Sequence, residues 1–217
     1  MTAIKHLLFD LDDTLYTGAS GLFDEVGLRI EQWTRQALNV NETEAKVLRR
    51  HYFTTYGTTM AGLLLEHPGV DIDDYLDYVH DLDITRYLDP DPRLAEMLSR
   101  LPAPKSVFTN SIASWAERVT QHLGVRKYFE HIFDVRAVGY HSKPDRHAFI
   151  RVLETLNLPG EACVLMDDRV AYLQGAAVAG IHTVLVRKGG QVTDGVDFAV
   201  GHILDAEPII QQLLQSA

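Results

Sequence analysis

Short apolar runs and amphipathic stretches alternate along much of this chain, and their order predicts its elements. Residues 4–9 form a mostly apolar run without Gly or Pro, too short for a helix and typical of a buried strand. Beyond residue 89, stretches of helical spacing alternate with further short apolar runs, at residues 106–108, 132–133, 164–166, 182–186 and 198–200. This alternation predicts an α/β fold, with a doubly wound parallel sheet and helices on both faces.

The segment from residue 17 to residue 88 differs, because its apolar positions recur at helical spacing and no strand pattern is convincing. Asn41 followed by Glu44 predicts a helix start with reciprocal capping bonds. A crossover between parallel strands needs one helix, so this length favours an inserted cap over helices that merely cover a sheet face. We expect an α/β core from residues 1–16 and 89–217 and a helical cap from residues 17–88.

Three carboxylates stand directly after the first predicted strand, at Asp10, Asp12 and Asp13. Their mutual repulsion at a packed strand end is most simply compensated by a bound cation. Ligands of open α/β sheets bind outside the carboxyl ends of the strands, so the position suits a site. The alternative is a surface turn in which these acids cap a helix.

Polar residues also follow three later predicted strands, where a parallel sheet can bring them to one edge. They are Thr109 and Asn110, Lys143, and the pair Asp167 and Asp168. Each has an ordinary alternative, because such acids, hydroxyls and amides cap helices and most lysines are exposed. Together with the first carboxylates they supply a nucleophile, an acid–base group, phosphate-binding donors and oxygen ligands for Mg²⁺.

The order and spacing of these residues resemble the four motifs of the haloacid dehalogenase-like hydrolases. The motifs are Asp10-Leu11-Asp12-Asp13-Thr14-Leu15, Phe108-Thr109-Asn110, Lys143-Pro144-Asp145 and Asp167-Asp168. The insertion after the first motif is similar to that of the group with an α-helical cap. Within that group, three stretches of this chain are similar to the pyrimidine 5′-nucleotidase branch. They are Asp12-Asp13-Thr14-Leu15-Tyr16, Tyr56-Gly57-Thr58-Thr59 and the paired Asp167-Asp168.

The resemblance implies a Mg²⁺-dependent phosphomonoesterase that works through an aspartyl-phosphate intermediate. Asp10 matches the nucleophile, and Asp12 matches the general acid and base. Thr109 and Asn110 match the phosphate-binding motif, and Lys143 matches the cation that serves the nucleophile and the phosphate.

The implied metal ligands are Asp10, the backbone carbonyl of Asp12, and Asp168 with Asp167 beside it. Many relatives carry another Asp or Asn where this chain has Tyr172, which leaves the outer metal shell open. The branch resemblance also places the region of Tyr56, Thr59 and Met60 over the substrate, so we expect these residues to contact it.

The expected substrate is a small phosphorylated metabolite, and the resemblance favours a nucleoside 5′-monophosphate. The alternatives are a phosphatase or phosphomutase acting on sugar phosphates or other small phosphometabolites, a haloacid dehalogenase, and a non-catalytic binding protein. Asp12 counts against a dehalogenase, because a halide leaves without a proton. The four unbroken motifs count against a binding protein.

Net charge, cysteine content and the length of apolar runs limit the classes of partner and the location that we expect. The 217 residues carry a formal net charge of -10, which argues against nucleic acid or an anionic membrane as the main partner. Cys163 is the only cysteine, so an intrachain disulfide is excluded. No apolar run reaches the roughly 18 residues that a membrane span needs. We expect a cytoplasmic protein that is a monomer or a homodimer.

Overall fold

Six parallel strands form a single sheet in the computed structural model, which describes residues 2–215. The strands are β1 (His6–Phe9), β2 (Lys105–Phe108), β3 (His131–Phe133), β4 (Cys163–Asp167), β5 (His182–Val186) and β6 (Phe198–Val200). Their order across the sheet is β3-β2-β1-β4-β5-β6. The doubly wound α/β fold predicted from the sequence is therefore confirmed, with each predicted strand within a few residues of its place.

The central strand β1 pairs with both halves of the sheet. Leu8 lies opposite Ser106 of β2 on one side and opposite Leu165 of β4 on the other. All four residues of β1 are buried, which is why Leu7, Leu8 and Phe9 form an apolar run without alternation. The strand order reverses between β1 and β4, so the crevice at their carboxyl ends is a topological switch point, where ligands of such sheets bind.

Four helices lie between β1 and the rest of the core, and residues 18–86 are called the helical insertion below. The helices are α1 (Leu22–Leu38), α2 (Glu42–Tyr56), α3 (Thr59–Glu66) and α4 (Ile72–His80). Asn41 and Glu44 form the predicted capping box at the start of α2. Gly57 ends α2 with φ 87°, and a Cβ there would meet Pro144 Cδ at 2.5 Å, so glycine is required at this contact.

The remaining helices cover the two faces of the sheet. They are α5 (Pro92–Arg100), α6 (Ala113–His122), α7 (Arg146–Leu156), α8 (Val170–Val178) and α9 (Glu207–Gln215). Leu7 and Phe9 of β1 pack with α5, α6, α9 and the insertion, whereas Leu8 packs with α7 and α8. The sequence pattern did not predict α9, which buries Ile210 against the first face. No helix of the described residues is long and apolar enough to cross a membrane.

Candidate active site

A fully buried lysine joins three strands at the carboxyl edge of the sheet. The Nζ atom of Lys143 donates to Asp10 Oδ1 at 2.8 Å, to Asp167 Oδ2 at 2.7 Å and to the Phe108 carbonyl at 2.9 Å. Burial alone would lower the pKa of Lys143, but the adjacent carboxylates outweigh it and raise the pKa above its ordinary value. Lys143 is therefore a charged member of the site, and its alternative as a solvated loop lysine is wrong.

The backbone of Lys143 is held by the amide of Asn110, which follows β2. Asn110 Oδ1 accepts from the Lys143 backbone N–H at 2.8 Å, and Asn110 Nδ2 donates to the Lys143 carbonyl at 3.0 Å. The motif resemblance implies a phosphate-binding role for Asn110, which also lines the cavity described below. Its side chain in addition positions the lysine through both of its polar atoms, a role that only the folded structure reveals.

Three carboxylates gather beside this lysine. An oxygen from each of Asp10, Asp167 and Asp168 lies within 4.8 Å of the others. Burial raises the pKa of Asp168 to about 8, and the charges of Asp10 and Asp167 add to the rise. Within residues 2–215 no side chain or backbone N–H donates to the Asp168 carboxylate, and Asp13 Oδ1 is also buried without a partner.

This donor set fits a divalent cation such as Mg²⁺. When all three carboxyl groups are ionised, the single ammonium of Lys143 leaves two negative charges uncompensated, which one divalent ion neutralises. Hard oxygen ligands are those that Mg²⁺ prefers. The oxygens of Asp167 already accept from Lys143 and from the Arg169 backbone N–H, whereas those of Asp168 remain available.

Asp12 is held by three donors that sequence reasoning did not identify. Its Oδ1 accepts from the hydroxyl of Tyr16 and from Trp115 Nε1 at 3.0 Å, and its Oδ2 accepts from Ser111 Oγ at 2.7 Å. Tyr16 lies four residues along the chain, but Ser111 and Trp115 lie on the segment that follows β2. These bonds fix the direction of the Asp12 carboxylate at the wall of the cavity described next.

A cavity of about 510 Å³ lies between the carboxyl edge of the sheet and the helical insertion. From the core it is lined by Asp10, Asp12, Asp13, Thr109, Asn110, Ser111, Asp168, Arg169 and Tyr172. From the insertion it is lined mainly by apolar side chains, among them Phe23, Val26, Ile30, Phe53, Met60, Leu76 and Val79. Charged groups of the insertion line it too, namely Glu31, Lys46, Arg49 and Arg50.

The predicted binding residues divide at this cavity. Thr109 lines it, and because its Oγ1 accepts from the Ser111 N–H at 3.0 Å, its own O–H stays free to donate. Thr59 and Met60 line the cavity as expected. Tyr56 does not, because its hydroxyl donates to Glu66 Oε1 at 2.8 Å.

Tyr172 connects the core to the helical insertion. Its hydroxyl donates to the Gly57 carbonyl at 3.0 Å and accepts from Arg169 Nη1 at 2.7 Å. The Arg169 guanidinium in turn stacks over the ring of Phe53 in the insertion, 3.8 Å from its centre. Where many members of the resembled family carry an acidic or amide side chain, this chain thus has an aromatic contact between its two parts.

Comparisons with known proteins bear on the family and the fold of this chain. A family model described as haloacid dehalogenase-like hydrolase matches residues 4–180. Phosphate metabolism protein 8 of Saccharomyces cerevisiae is 29% identical over 138 residues, which are 60% of this chain and 43% of that protein. The chain therefore spans less than half of that relative's length.

Two further proteins match this chain over a larger part of both sequences or structures. A glyceraldehyde 3-phosphate phosphatase of Methanopyrus kandleri is 28% identical over 204 residues, 86% of this chain and 85% of that protein. The solved structure of the L-2-haloacid dehalogenase RSc1362 superposes with a TM-score of 0.66 at 19% identity, over 97% of this chain and all of that one. At that identity the structural likeness establishes the fold alone.

Proposed function

The chain belongs to the haloacid dehalogenase-like hydrolase family, and from that premise we propose that it is a phosphatase that hydrolyses small phosphate monoesters. The observation that carries the proposal is the buried Lys143, which holds Asp10 at the switch point, in contact with an open cavity. The relative from Methanopyrus kandleri, named a glyceraldehyde 3-phosphate phosphatase, supports the same reaction class.

In the first step an oxygen of Asp10 attacks the phosphorus atom, and the bond to the leaving alkoxide breaks. Lys143 binds Oδ1 of Asp10, so Oδ2 is the atom that forms the new bond. Asp12 gives its proton to the alkoxide, which leaves as an alcohol. The product is an aspartyl-phosphate on Asp10, whose phosphate oxygens can accept from the free O–H of Thr109.

In the second step water attacks the phosphorus atom and the bond to Asp10 breaks. Asp12, now a carboxylate, takes a proton from the attacking water, and inorganic phosphate leaves with Asp10 restored. Asp12 needs a fixed direction to serve both steps, and the donors from Tyr16, Ser111 and Trp115 supply it.

The proposed ligands of Mg²⁺ are Asp10, the backbone carbonyl of Asp12 and Asp168, with Asp167 beside them. When bound, the ion supplies the positive charge that lets an anionic phosphate approach three carboxylates. Lys143 holds Asp10 and Asp167 in place, because its ammonium donates to both carboxylates.

We propose a nucleoside 5′-monophosphate as the substrate, with the helical insertion acting as the cap that covers it. The insertion offers apolar and aromatic side chains such as Phe23 and Phe53, which suit a nucleobase better than a polyhydroxylated sugar. The cavity of about 510 Å³ is within the range of small-molecule sites. A small sugar phosphate is the second candidate, supported by the name of the Methanopyrus kandleri relative.

The reaction is tested by comparing Asp10→Asn with Asp12→Asn after rapid quenching, with intact-protein mass as the readout. Asp10→Asn should lose activity and carry no bound phosphate. Asp12→Asn should lower the rate with an alkyl phosphate about 10²–10⁴-fold. With p-nitrophenyl phosphate the rate of the first step should fall less, because that leaving group needs little protonation. The variant should then accumulate phosphoenzyme, because hydrolysis of the aspartyl-phosphate still needs a base. Phosphorylation of the Asp10→Asn protein, or the same leaving-group dependence in both variants, contradicts the assigned roles.

The substrate is tested by phosphate release from nucleoside 5′-monophosphates, sugar phosphates and phosphoglycolate at equal concentrations with Mg²⁺. A higher kcat/KM for a nucleoside monophosphate than for any sugar phosphate supports the first candidate. The reverse order supports the second candidate and leaves the phosphatase proposal intact.

A further inference from the structure

Two histidines and one aspartate converge at the start of α7, away from the cavity. Their side chains are His141, Asp145 and His147, called the His–Asp–His cluster below. His141 Nδ1 lies 2.7 Å from Asp145 Oδ2, and His147 Nδ1 lies 3.0 Å from Asp145 Oδ1. One ligand atom from each residue lies within 4.8 Å of the other two. None of the three lines the cavity, so the cluster is separate from the carboxylates around Lys143.

The helix start accounts for only part of this arrangement. Asp145 is the N-cap of α7, and its Oδ1 accepts from the His147 backbone N–H at 2.9 Å. That bond needs neither imidazole. Both rings nevertheless turn a nitrogen toward the same carboxylate, and they stack with centres 4.9 Å apart and planes 30° apart. Partly exposed side chains lose rotamer freedom in such an arrangement, and exposed hydrogen bonds to a carboxylate offset little of that loss.

The Asp145 carboxylate between the rings is fixed by its own turn, because its Oδ1 accepts from the His147 backbone N–H. Its backbone N–H also donates to the Ser142 carbonyl at 2.8 Å, which closes the turn between His141 and the helix. The cluster therefore combines one oriented anion with two nitrogen donors on a rigid turn.

We propose that the His–Asp–His cluster binds one divalent metal ion of the type of Zn²⁺. Two imidazoles and one carboxylate, with a fourth position open to water, form a common zinc ligand set. Bond lengths of about 2.0–2.1 Å place tetrahedral ligands roughly 3.3 Å apart. The two imidazole nitrogens now lie 2.7 and 3.0 Å from different oxygens of Asp145, so metal binding replaces these two hydrogen bonds and moves the rings slightly outward. Mg²⁺ prefers oxygen ligands, so the two sites of this chain differ in the ion they select.

The test is calorimetric titration of the whole protein with Zn²⁺ in excess Mg²⁺, which occupies the carboxylates around Lys143. We expect one equivalent of Zn²⁺ per chain and an affinity at least tenfold lower in both His141→Ala and His147→Ala. Asp168→Asn and His182→Ala should keep the affinity. His182 is a matched control, because it is partly exposed with its Nδ1 3.7 Å from Asp197.

Substitution of Co²⁺ for Zn²⁺ gives a second readout, because tetrahedral Co²⁺ absorbs strongly in visible light. The absorption should appear in the wild-type protein and in His182→Ala, and be lost in His141→Ala and in His147→Ala. His147 has a side chain 69% exposed, so its substitution leaves the fold intact even if that of His141 does not. Zn²⁺ binding that is absent from the wild-type protein, or unchanged in both histidine variants, overturns the proposal.

Discussion

Lys143 and Asp10 form an ion pair inside the protein, with 2.8 Å between the ammonium Nζ and the carboxylate Oδ1 and almost no exposure of either side chain. A second buried carboxylate, Asp167, contacts the same ammonium at 2.7 Å. Removing one partner of such a group leaves an uncompensated charge in a dry environment. The same ion pair therefore contributes to the stability of the fold and to the proposed reaction.

Lys143→Met is expected to abolish phosphatase activity and to lower the free energy of unfolding by about 3–5 kcal/mol, because two carboxylates lose their cation. Adding Asp167→Asn should recover part of the stability and none of the activity. Urea denaturation and phosphate release measure the two effects. Lys105→Met is the matched control, because that buried lysine bonds only to backbone carbonyls and should keep activity. Equal behaviour of the two lysine variants contradicts the assignment.

Tyr16→Phe removes one of the donors that position Asp12. A lost hydrogen bond of this kind is expected to lower kcat for an alkyl phosphate about tenfold, or roughly 1.4 kcal/mol. The loss with p-nitrophenyl phosphate should be smaller, because its leaving group needs little protonation. Tyr140→Phe, which breaks a surface bond to Asp73, should change neither rate. An equal loss with both substrates means that Tyr16 only supports the local structure.

Metal removal should abolish activity, and added Mg²⁺ should restore it. Ca²⁺ should support less activity, because its larger and looser coordination suits the reaction geometry poorly. Asp168→Asn should raise the Mg²⁺ concentration needed for half-maximal activity and reduce the stabilisation by Mg²⁺ in thermal melts. Asp91→Asn, which changes a helix cap outside the cavity, should do neither. Full activity in EDTA rules out the proposed metal role.

Thr59→Ala and Met60→Ala should change the ranking of substrates more than the rate with p-nitrophenyl phosphate. Both side chains line the cavity in the helical insertion, so they contact the part of a substrate that a truncated ester lacks. The readout is kcat/KM over a panel of phosphate esters. Tyr56→Phe is the control, since Tyr56 points to Glu66 and the ranking should not change. Parallel losses on every ester indicate a structural role for Thr59 and Met60.

Acid should destabilise the protein through His80. Burial lowers the pKa of His80 to about 4, below its ordinary value of 6.5. Between these values the unfolded chain binds a proton at His80 that the folded chain does not, so the contribution of His80 to the free energy of unfolding falls as pH falls. The loss is about 3 kcal/mol by pH 4. No such loss arises above pH 6.5.

His80→Asn should flatten this dependence in urea denaturation measured from pH 7 to pH 4. Part of the slope should remain, because burial also lowers the pKa of His6 to about 4. His182→Asn, at a partly exposed position, should keep the full slope. A slope that His80→Asn leaves unchanged assigns the acid sensitivity to other groups.

The sequence by itself determined the sheet and the chemical groups at its carboxyl edge. Strands buried on both faces must be apolar throughout, so β1 and β4 are visible as short runs, and Asp10 and Asp167 follow from where those runs end. The helix start at Asn41 was also predictable from the sequence, because capping depends on neighbours in the chain. The last helix, α9, was not predicted from the sequence.

The tertiary structure alone decided what each side chain touches. Trp115 and Asp12 are separated by 103 residues, and they meet because α6 follows β2, the strand that pairs with β1. Asn110 lines the cavity but uses both polar atoms of its side chain to hold the Lys143 backbone. Tyr56 bonds to Glu66 and does not line the cavity. In both cases packing decides which partner lies within bonding distance. Periodicity places a residue on an element, whereas the direction of its polar atoms depends on neighbours that are remote in the chain.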